Sequence, residues 1–447
     1  MILLSYILFL TSIFLIFLFD RIQIKRNWYD PLYAFLILNA VYVSPLTLRY
    51  ILNLPVEGNV TDLFYKIHDI FPYAVMANTL ALFAFYFSYR LTNNNLLTNY
   101  IIKTSKKIEK KKLNFFLAGW LATITGASLF IAASQGHGGV LSVLLSGYAV
   151  TLAFTESPIL PLSLSILTSG SFLFLANYSF KKEKASIFLS IAVLSFAFLI
   201  QIILGRRAEI AVWGLSYIIY YSLIIKPISS KKLIIILTSS FLFLNILGLA
   251  RQANYESFDT VFDNINNQAS LSRENKSDFF YTLTTGQFVV PFETLPILMD
   301  DLKFSEMQFG STLPSIVTQW IPRGFWENKP YGLSNWFMRR FYDSSAPVNE
   351  GRQFYYLSEG YINFGFPGII LWGLLWGFLL KSISILLEKK NNNLILPSYI
   401  GSIYCAGLVT LLANDLTGFF VAFPKNTISA FLTLYILLLL SSQFKRK

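Results

Sequence analysis

Apolar residues fall in long runs along this chain, and the polar residues collect in the gaps between them. The runs lie at 2–19, 31–52, 70–89, 113–134, 158–180, 186–204, 210–225, 233–250, 364–387, 396–421 and 427–443. Most are long enough, or nearly so, to cross ~30 Å of hydrocarbon as helices. The pattern predicts an all-α, polytopic membrane protein of about 11 transmembrane helices. It divides the chain into residues 1–250 with eight spans, a large loop at 251–362, and residues 363–447 with three more.

Composition agrees. The chain is 54% hydrophobic, 17% aromatic and only 13% charged, with a mean hydropathy of +0.54, a profile foreign to a soluble domain. At the N-terminus the apolar run starts almost at Met1 and is followed by Arg21, Lys25 and Arg26. A cleavable signal peptide carries its charges before the apolar core, so this order predicts a first spanning helix that starts outside.

Charge supplies the orientation. The connections at 20–30, 90–112, 181–185, 226–232 and 388–395, with Lys381 and the C-terminal tail, carry 22 of the 36 Lys and Arg residues but only 5 of the 24 Asp and Glu. That side is expected to be cytoplasmic, with the C-terminus in and the N-terminus out. Net basicity therefore needs no nucleic acid to explain it. The type of cation differs as well: 18 Lys and 4 Arg inside, against 9 Arg and 5 Lys outside. Any cation serves beside anionic lipid. Arginine is selected where a planar, permanently charged fork must grip an oxyanion.

The 251–362 loop is too long to be a mere connector. Its first part, 251–306, holds 4 basic and 9 acidic residues, whereas 310–352 holds 5 basic and 3 acidic. The five are Arg323, Lys329, Arg339, Arg340 and Arg352, set among Trp320, Phe325, Trp326, Tyr331, Trp336, Phe337 and Phe341. Segments 312–321 and 334–342 are expected to form short interfacial helices, where such rings settle. An aromatic belt accounts for single Trp residues, and Glu327, Asp343 and Glu350 can pair with some of the cations but not all.

Two tight sites lie on the same side. "LGRRAEIAVW" (204–213) places Arg206, Arg207 and Glu209 in one turn, and "LGLARQANY" (247–255) sets Arg251 at a span exit. Charges so near hydrocarbon snorkel to headgroups or mark a substrate path. In "EGRQFYYLSEGYINFGFPGIILWG" (350–373), a helix over 352–363 would put Arg352, Tyr356, Glu359 and Asn363 on one face. A carboxylate beside an arginine and an amide can hold a sugar hydroxyl or take its proton, or the cluster can simply satisfy itself. Asp415 is a weaker candidate. His68 and His137 lack metal-ligand spacing, Cys405 is alone in an apolar run, and no P-loop or dinucleotide fingerprint appears.

The motifs "IPRGFWENKPYG" and "SEGYINFGFPG", with the upstream "GRR" turn, resemble bacterial oligosaccharide repeat-unit polymerases of the Wzy type, which make O-antigen and capsule polysaccharide. The matching elements are Pro322–Arg323, Lys329–Pro330, and Glu359, Tyr361, Asn363, Phe364 and Gly365. Arg206 stands where the family's Gly-x-Arg turn usually has a small residue, so either Arg206 or Arg207 can be the one pointing into the site. The resemblance implies a glycosyltransferase C-like membrane enzyme without a metal or other cofactor, working at the outer face of the cytoplasmic membrane. Its implied substrate is undecaprenyl-diphosphate-linked oligosaccharide, as donor and as acceptor, in company with a flippase and a chain-length regulator of the same pathway. The growing glycan would pass from its lipid diphosphate to the non-reducing end of a new lipid-linked unit. The resemblance assigns Glu359 as base, with Arg323 and Arg352 as catalytic cations. Arg206, Arg207, Arg251, Lys329, Arg339 and Arg340 fall to diphosphate, and Trp326, Tyr356, Tyr361 and Asn363 to sugar. An O-antigen ligase, which passes the glycan to lipid A, is the near alternative; that family relies on a loop histidine, and 251–362 contains none. A lipid-linked oligosaccharide transporter would show mid-membrane polar residues and an internal repeat, and no repeat is evident.

Overall fold

The structure, a computed structural model, describes residues 1–23, 27–53, 66–93, 96–110, 114–145, 159–229, 231–232, 235–236, 239, 290–319, 321, 326, 329–347, 351–388 and 394–422. Among these every regular element is helical. Those of six residues or more are, in chain order, α1 (Ile2–Gln23), α2 (Pro31–Leu52), α3 (Phe71–Leu91), α4 (Leu96–Lys110), α5 (Phe115–Gln135), α6 (Val140–Leu145), α7 (Ile159–Lys181), α8 (Lys184–Ile203), α9 (Arg207–Ile224), α10 (Val290–Asp301), α11 (Leu333–Phe341), α12 (Tyr356–Leu386) and α13 (Ile395–Leu411); shorter turns of helix lie at Phe304–Glu306, Ser315–Thr318 and Gly418–Ala422. Seven are long and apolar enough to cross a membrane: α1, α2, α3, α5, α7, α8 and α12. Shorter apolar stretches, Ala208–Ile224 in α9 and Ile395–Leu408 in α13, fall where two further spans were expected. The expected spans at 233–250, apart from residues 235, 236 and 239, and at 427–443 lie outside the described residues. The 90–112 connection holds more than a loop. Its α4 alternates apolar and lysine positions around the helix, which the count of long apolar runs passes over.

The chain forms two compact units. The first comprises Met1–Asn95, Asn275–Ile385 and Leu408–Ala422. In it α1 packs on α2 and α3, and α10 packs on the same pair. Asp30 begins α2: its side chain accepts from the Leu32 N–H at 3.0 Å, ahead of Pro31 at the first helical position. The same carboxylate accepts from Tyr89 Oη of α3 at 2.5 Å and from Ser384 Oγ of α12 at 3.1 Å, so one buried acid ties three helices at one end. Phe35 and Phe85 stack with centroids 3.7 Å apart in the core between α2 and α3.

The second unit comprises Leu96–Glu274, Leu386–Gly407 and Phe423–Lys447. Its centre is α7, which is buried along most of its length, whereas most of α8 is not. α5, α8 and α9 all pack on α7. Phe172 of α7 meets the rings of Trp213, Tyr220 and Tyr399 edge-on or tilted. Asn177 donates to Ser186 Oγ at 2.8 Å across the α7–α8 turn.

The element that positions the candidate site is α12. A straight helix of 31 residues would run to ~46 Å, well beyond the hydrocarbon thickness. The chain instead breaks at Gly365, with φ 64° and ψ −145°, a conformation reserved for glycine. The first arm, 356–364, then folds against the second so closely that Gly360 and Gly368 touch. A Cβ on Gly368 would sit 1.9 Å from the Gly360 carbonyl oxygen, so the bend admits no side chain there.

Candidate functional site

The break at Gly365 strands the last carbonyls of the first arm. Loop N–H groups satisfy them: Gln308 N donates to Ile362 O at 2.8 Å and Phe309 N to Asn363 O at 3.0 Å. Gly310 N then donates to Asn363 Oδ1 at 2.9 Å, which fixes that amide's orientation. Asn363 Nδ2 in turn donates to Thr312 Oγ1 at 2.7 Å, and Thr312 Oγ1 donates to Glu359 Oε1 at 3.1 Å. From the other side the Leu416 N–H reaches Glu359 Oε2 at 2.6 Å. Glu359 and Asn363 are both fully buried. The neighbouring Asp415 carboxylate lies near enough to act on Glu359 electrostatically. Glu359 and Asn363 thus grip a single hydroxyl in both its roles, the carboxylate accepting its proton side and the amide donating to its oxygen. In this structure the hydroxyl is that of Thr312.

Arg352 lies just before this arm, and here the expectation of one helix over 352–363 is corrected: α12 begins at Tyr356. Upstream N–H groups are used by distant partners instead. Arg352 N donates to Ser334 O at 3.1 Å, Phe354 N to Ala413 O at 3.0 Å, and Tyr355 N to Thr294 Oγ1 at 3.1 Å. The shared helical face therefore holds Glu359 and Asn363 without Arg352. The Arg352 guanidinium is ion-paired through Nε with Glu293 of α10, and it stacks 4.1 Å from the centroid of Tyr342. Tyr342 Oη donates to the same Glu293 oxygen at 2.9 Å. Burial pulls the Arg352 pKa down, but the Glu293 contact outweighs it and holds it above the usual arginine value. Burial, reinforced by Glu293, raises the Tyr342 pKa, so its hydroxyl remains a donor. Thr294, next to Glu293, shares a hydrogen bond of 2.7 Å with Ser358, next to Glu359, so adjacent residues of α10 brace both clusters.

The family model for the O-antigen polysaccharide polymerase Wzy matches residues 1–447, the whole chain. The chain belongs to the Wzy family of O-antigen polysaccharide polymerases. Members are multi-pass membrane proteins that polymerise O-antigen repeat units, acting on lipid-linked oligosaccharides. Neither a search of curated proteins nor a search of solved structures finds a match.

Several of the other residues that the Wzy resemblance singled out have local partners of their own. Lys329 is buried, its ammonium donating to Gln319 O at 3.1 Å and Ile321 O at 2.9 Å, so it clamps its own loop. Arg340 pairs with Asp301 at 2.7 Å and Glu306 at 3.4 Å on the surface. Arg339 lies 4.3 Å from the Tyr331 ring centroid. Arg206, in the second unit, is ion-paired with Glu209, and the Arg207 side chain, Arg251 and Arg323 lie outside the described residues. Trp326 is partly exposed. Tyr356 is no sugar platform in this conformation: it is 1% exposed, donates to Asn39 Oδ1 at 3.2 Å, and packs edge-on to Trp376. Tyr361 is also buried, edge-on to Phe366. Glu293, Thr312 and Tyr342 escaped the sequence reading, because their role rests on contacts some 50 residues distant in sequence or, for Tyr342, on Glu293. Among the described residues no three His, Cys, Asp or Glu side chains converge as a metal site.

Proposed function

We propose that this Wzy family member moves the growing glycan from undecaprenyl diphosphate onto the non-reducing end of a second lipid-linked repeat unit, at the outer face of the cytoplasmic membrane. The observation that carries the proposal is the Glu359–Asn363 grip on a hydroxyl. In the reaction the acceptor sugar hydroxyl takes the place that Thr312 occupies at rest. Glu359 removes its proton as the oxygen attacks the anomeric carbon, and the lipid diphosphate departs with the bonding pair. Asn363 orients the attacking hydroxyl's oxygen. Arg352, with Arg323 of the same loop, meets the charge that develops on the diphosphate, so that arginine does what a metal does in other transferases. Lys329 holds the carbonyls of Gln319 and Ile321, just before Arg323 in sequence. Trp326 remains the ring open to stack on sugar. A flippase and a chain-length regulator are the expected neighbours in the membrane.

Purified protein supplied with a lipid-linked repeat unit tests this directly. A glycan ladder is the expected product. Delivery of labelled sugar to lipid A without a ladder would assign the chain as a ligase, and translocation with no new glycosidic bond would assign it as a transporter.

A further inference from the structure

Arginines in ion pairs built only to stabilise a fold commonly face the acid with a two-pronged edge and leave few donors over. Arg352 does not. Its contact to Glu293 runs through Nε, and among the described residues neither η nitrogen is paired with an acid or a backbone carbonyl. The acid lies deeper than the base: the Glu293 side chain is 7% exposed and that of Arg352 is 21%. One face of the guanidinium lies against the Tyr342 ring, and Tyr342 Oη is itself fixed on Glu293. Residues 351–355 are not helical, so no helix holds this side chain; Glu293 and Tyr342 supply that restraint.

We infer that Glu293 and Tyr342 are positioning residues that hold Arg352 by its Nε edge and one face, so that its two η amino groups are presented, already oriented, to the diphosphate of the lipid-linked substrate. The inference rests on the assignment of Arg352 to diphosphate. Physically, a free arginine loses several rotamers' worth of entropy on gripping an oxyanion, and one locked from behind has already lost it. The cost is partial neutralisation by Glu293. A single-point contact leaves the delocalised charge on the η edge while fixing its direction.

The test titrates inorganic diphosphate into the purified full-length chain in detergent, which reads binding apart from chemistry. Arg352→Lys is expected to weaken binding. Glu293→Ala should weaken it by roughly tenfold or more, the scale seen when an orienting partner is removed from a ligand-binding side chain. The double variant should be no weaker than the weaker single one, because both changes disable the same group. Glu293→Gln keeps an acceptor for Nε and for Tyr342, and should bind close to wild type. Wild-type binding by Glu293→Ala, or losses that add in the double variant, would overturn the positioning role and leave Arg352 on the diphosphate. Wild-type binding by Arg352→Lys would overturn both. If Glu293→Ala does not fold, Tyr342→Ala removes the ring behind the guanidinium, and unchanged binding there, or a Glu293→Gln as weak as Arg352→Lys, overturns the inference.

Discussion

Helix α11 and the first arm of α12 belong to the same loop, and both bring charged side chains among aromatic rings, yet they use them in opposite ways. On α11 the Arg340 guanidinium spreads over Trp336 and Phe341 and reaches two surface acids, Asp301 and Glu306. Each member of that network is about a third exposed, so water already screens it. Around α12 the carboxylate of Glu359 has no exposure at all, and both of its oxygens are held by groups from other parts of the chain. Arg352 lies between these extremes, its side chain partly exposed and paired with the more deeply buried Glu293. Cation density along the sequence thus marks the loop that the proposed function assigns to diphosphate, and burial geometry separates its members from one another.

Substitutions can break or sharpen this contrast. The largest effect is expected from Glu359→Gln, which keeps the shape and an acceptor for Thr312 but cannot take a proton. Ladder formation should fall by roughly 10²–10⁴-fold while the protein still inserts in the membrane. Activity near wild type would remove Glu359 as the base and leave it as a strut. Arg352→Lys keeps a charge but loses the planar edge, and it should cost roughly 10²–10³-fold in the same assay. A loss confined to the substrate concentration needed, with the maximal rate intact, would move Arg352 from the transition state to ground-state binding.

Thr312→Val sharpens the contrast differently. It deprives a buried carboxylate of a donor and a buried amide of an acceptor, so the unfolding free energy should drop by about 1–3 kcal/mol, read as a lower midpoint in detergent. Because the hydroxyl must leave for the acceptor to enter, ladder formation should hold at or above wild type. A fall in ladder formation with the midpoint unchanged would make Thr312 part of the chemistry. The smallest effect is expected at Arg340→Gln: about 0–1 kcal/mol of stability and ladder formation close to wild type. A large loss there would erase the distinction between the two regions.

Hydrophobic runs showed the fold class and most of the spans, because a helix must be apolar for its full length to cross lipid and such runs are visible without any partner. One run starts at 364, next to the bend that the structure places at Gly365. The runs did not show α4, whose apolar positions are spaced around a helix instead of running on. The motif residues Glu359 and Asn363 were legible, and the structure joins them through Thr312. Tyr356 was not: the spacing that put it on their face could not reveal that this face is shared with the core, where Asn39 and Trp376 enclose it.

By itself, then, the sequence determined a helical membrane protein of the Wzy family, with six of its 13 arginines in one late loop. Those properties depend on composition and local order, which each segment carries alone. Tertiary structure decided that Arg352 starts outside the helix, that Glu293 and Tyr342 stand behind it, and that Thr312 fills the grip of Glu359 and Asn363. Each of these pairings closes a loop of tens of residues, or folds two arms together at Gly360 and Gly368. Contacts of that kind exist only after the backbone has bent and the stranded donors and acceptors have found their partners.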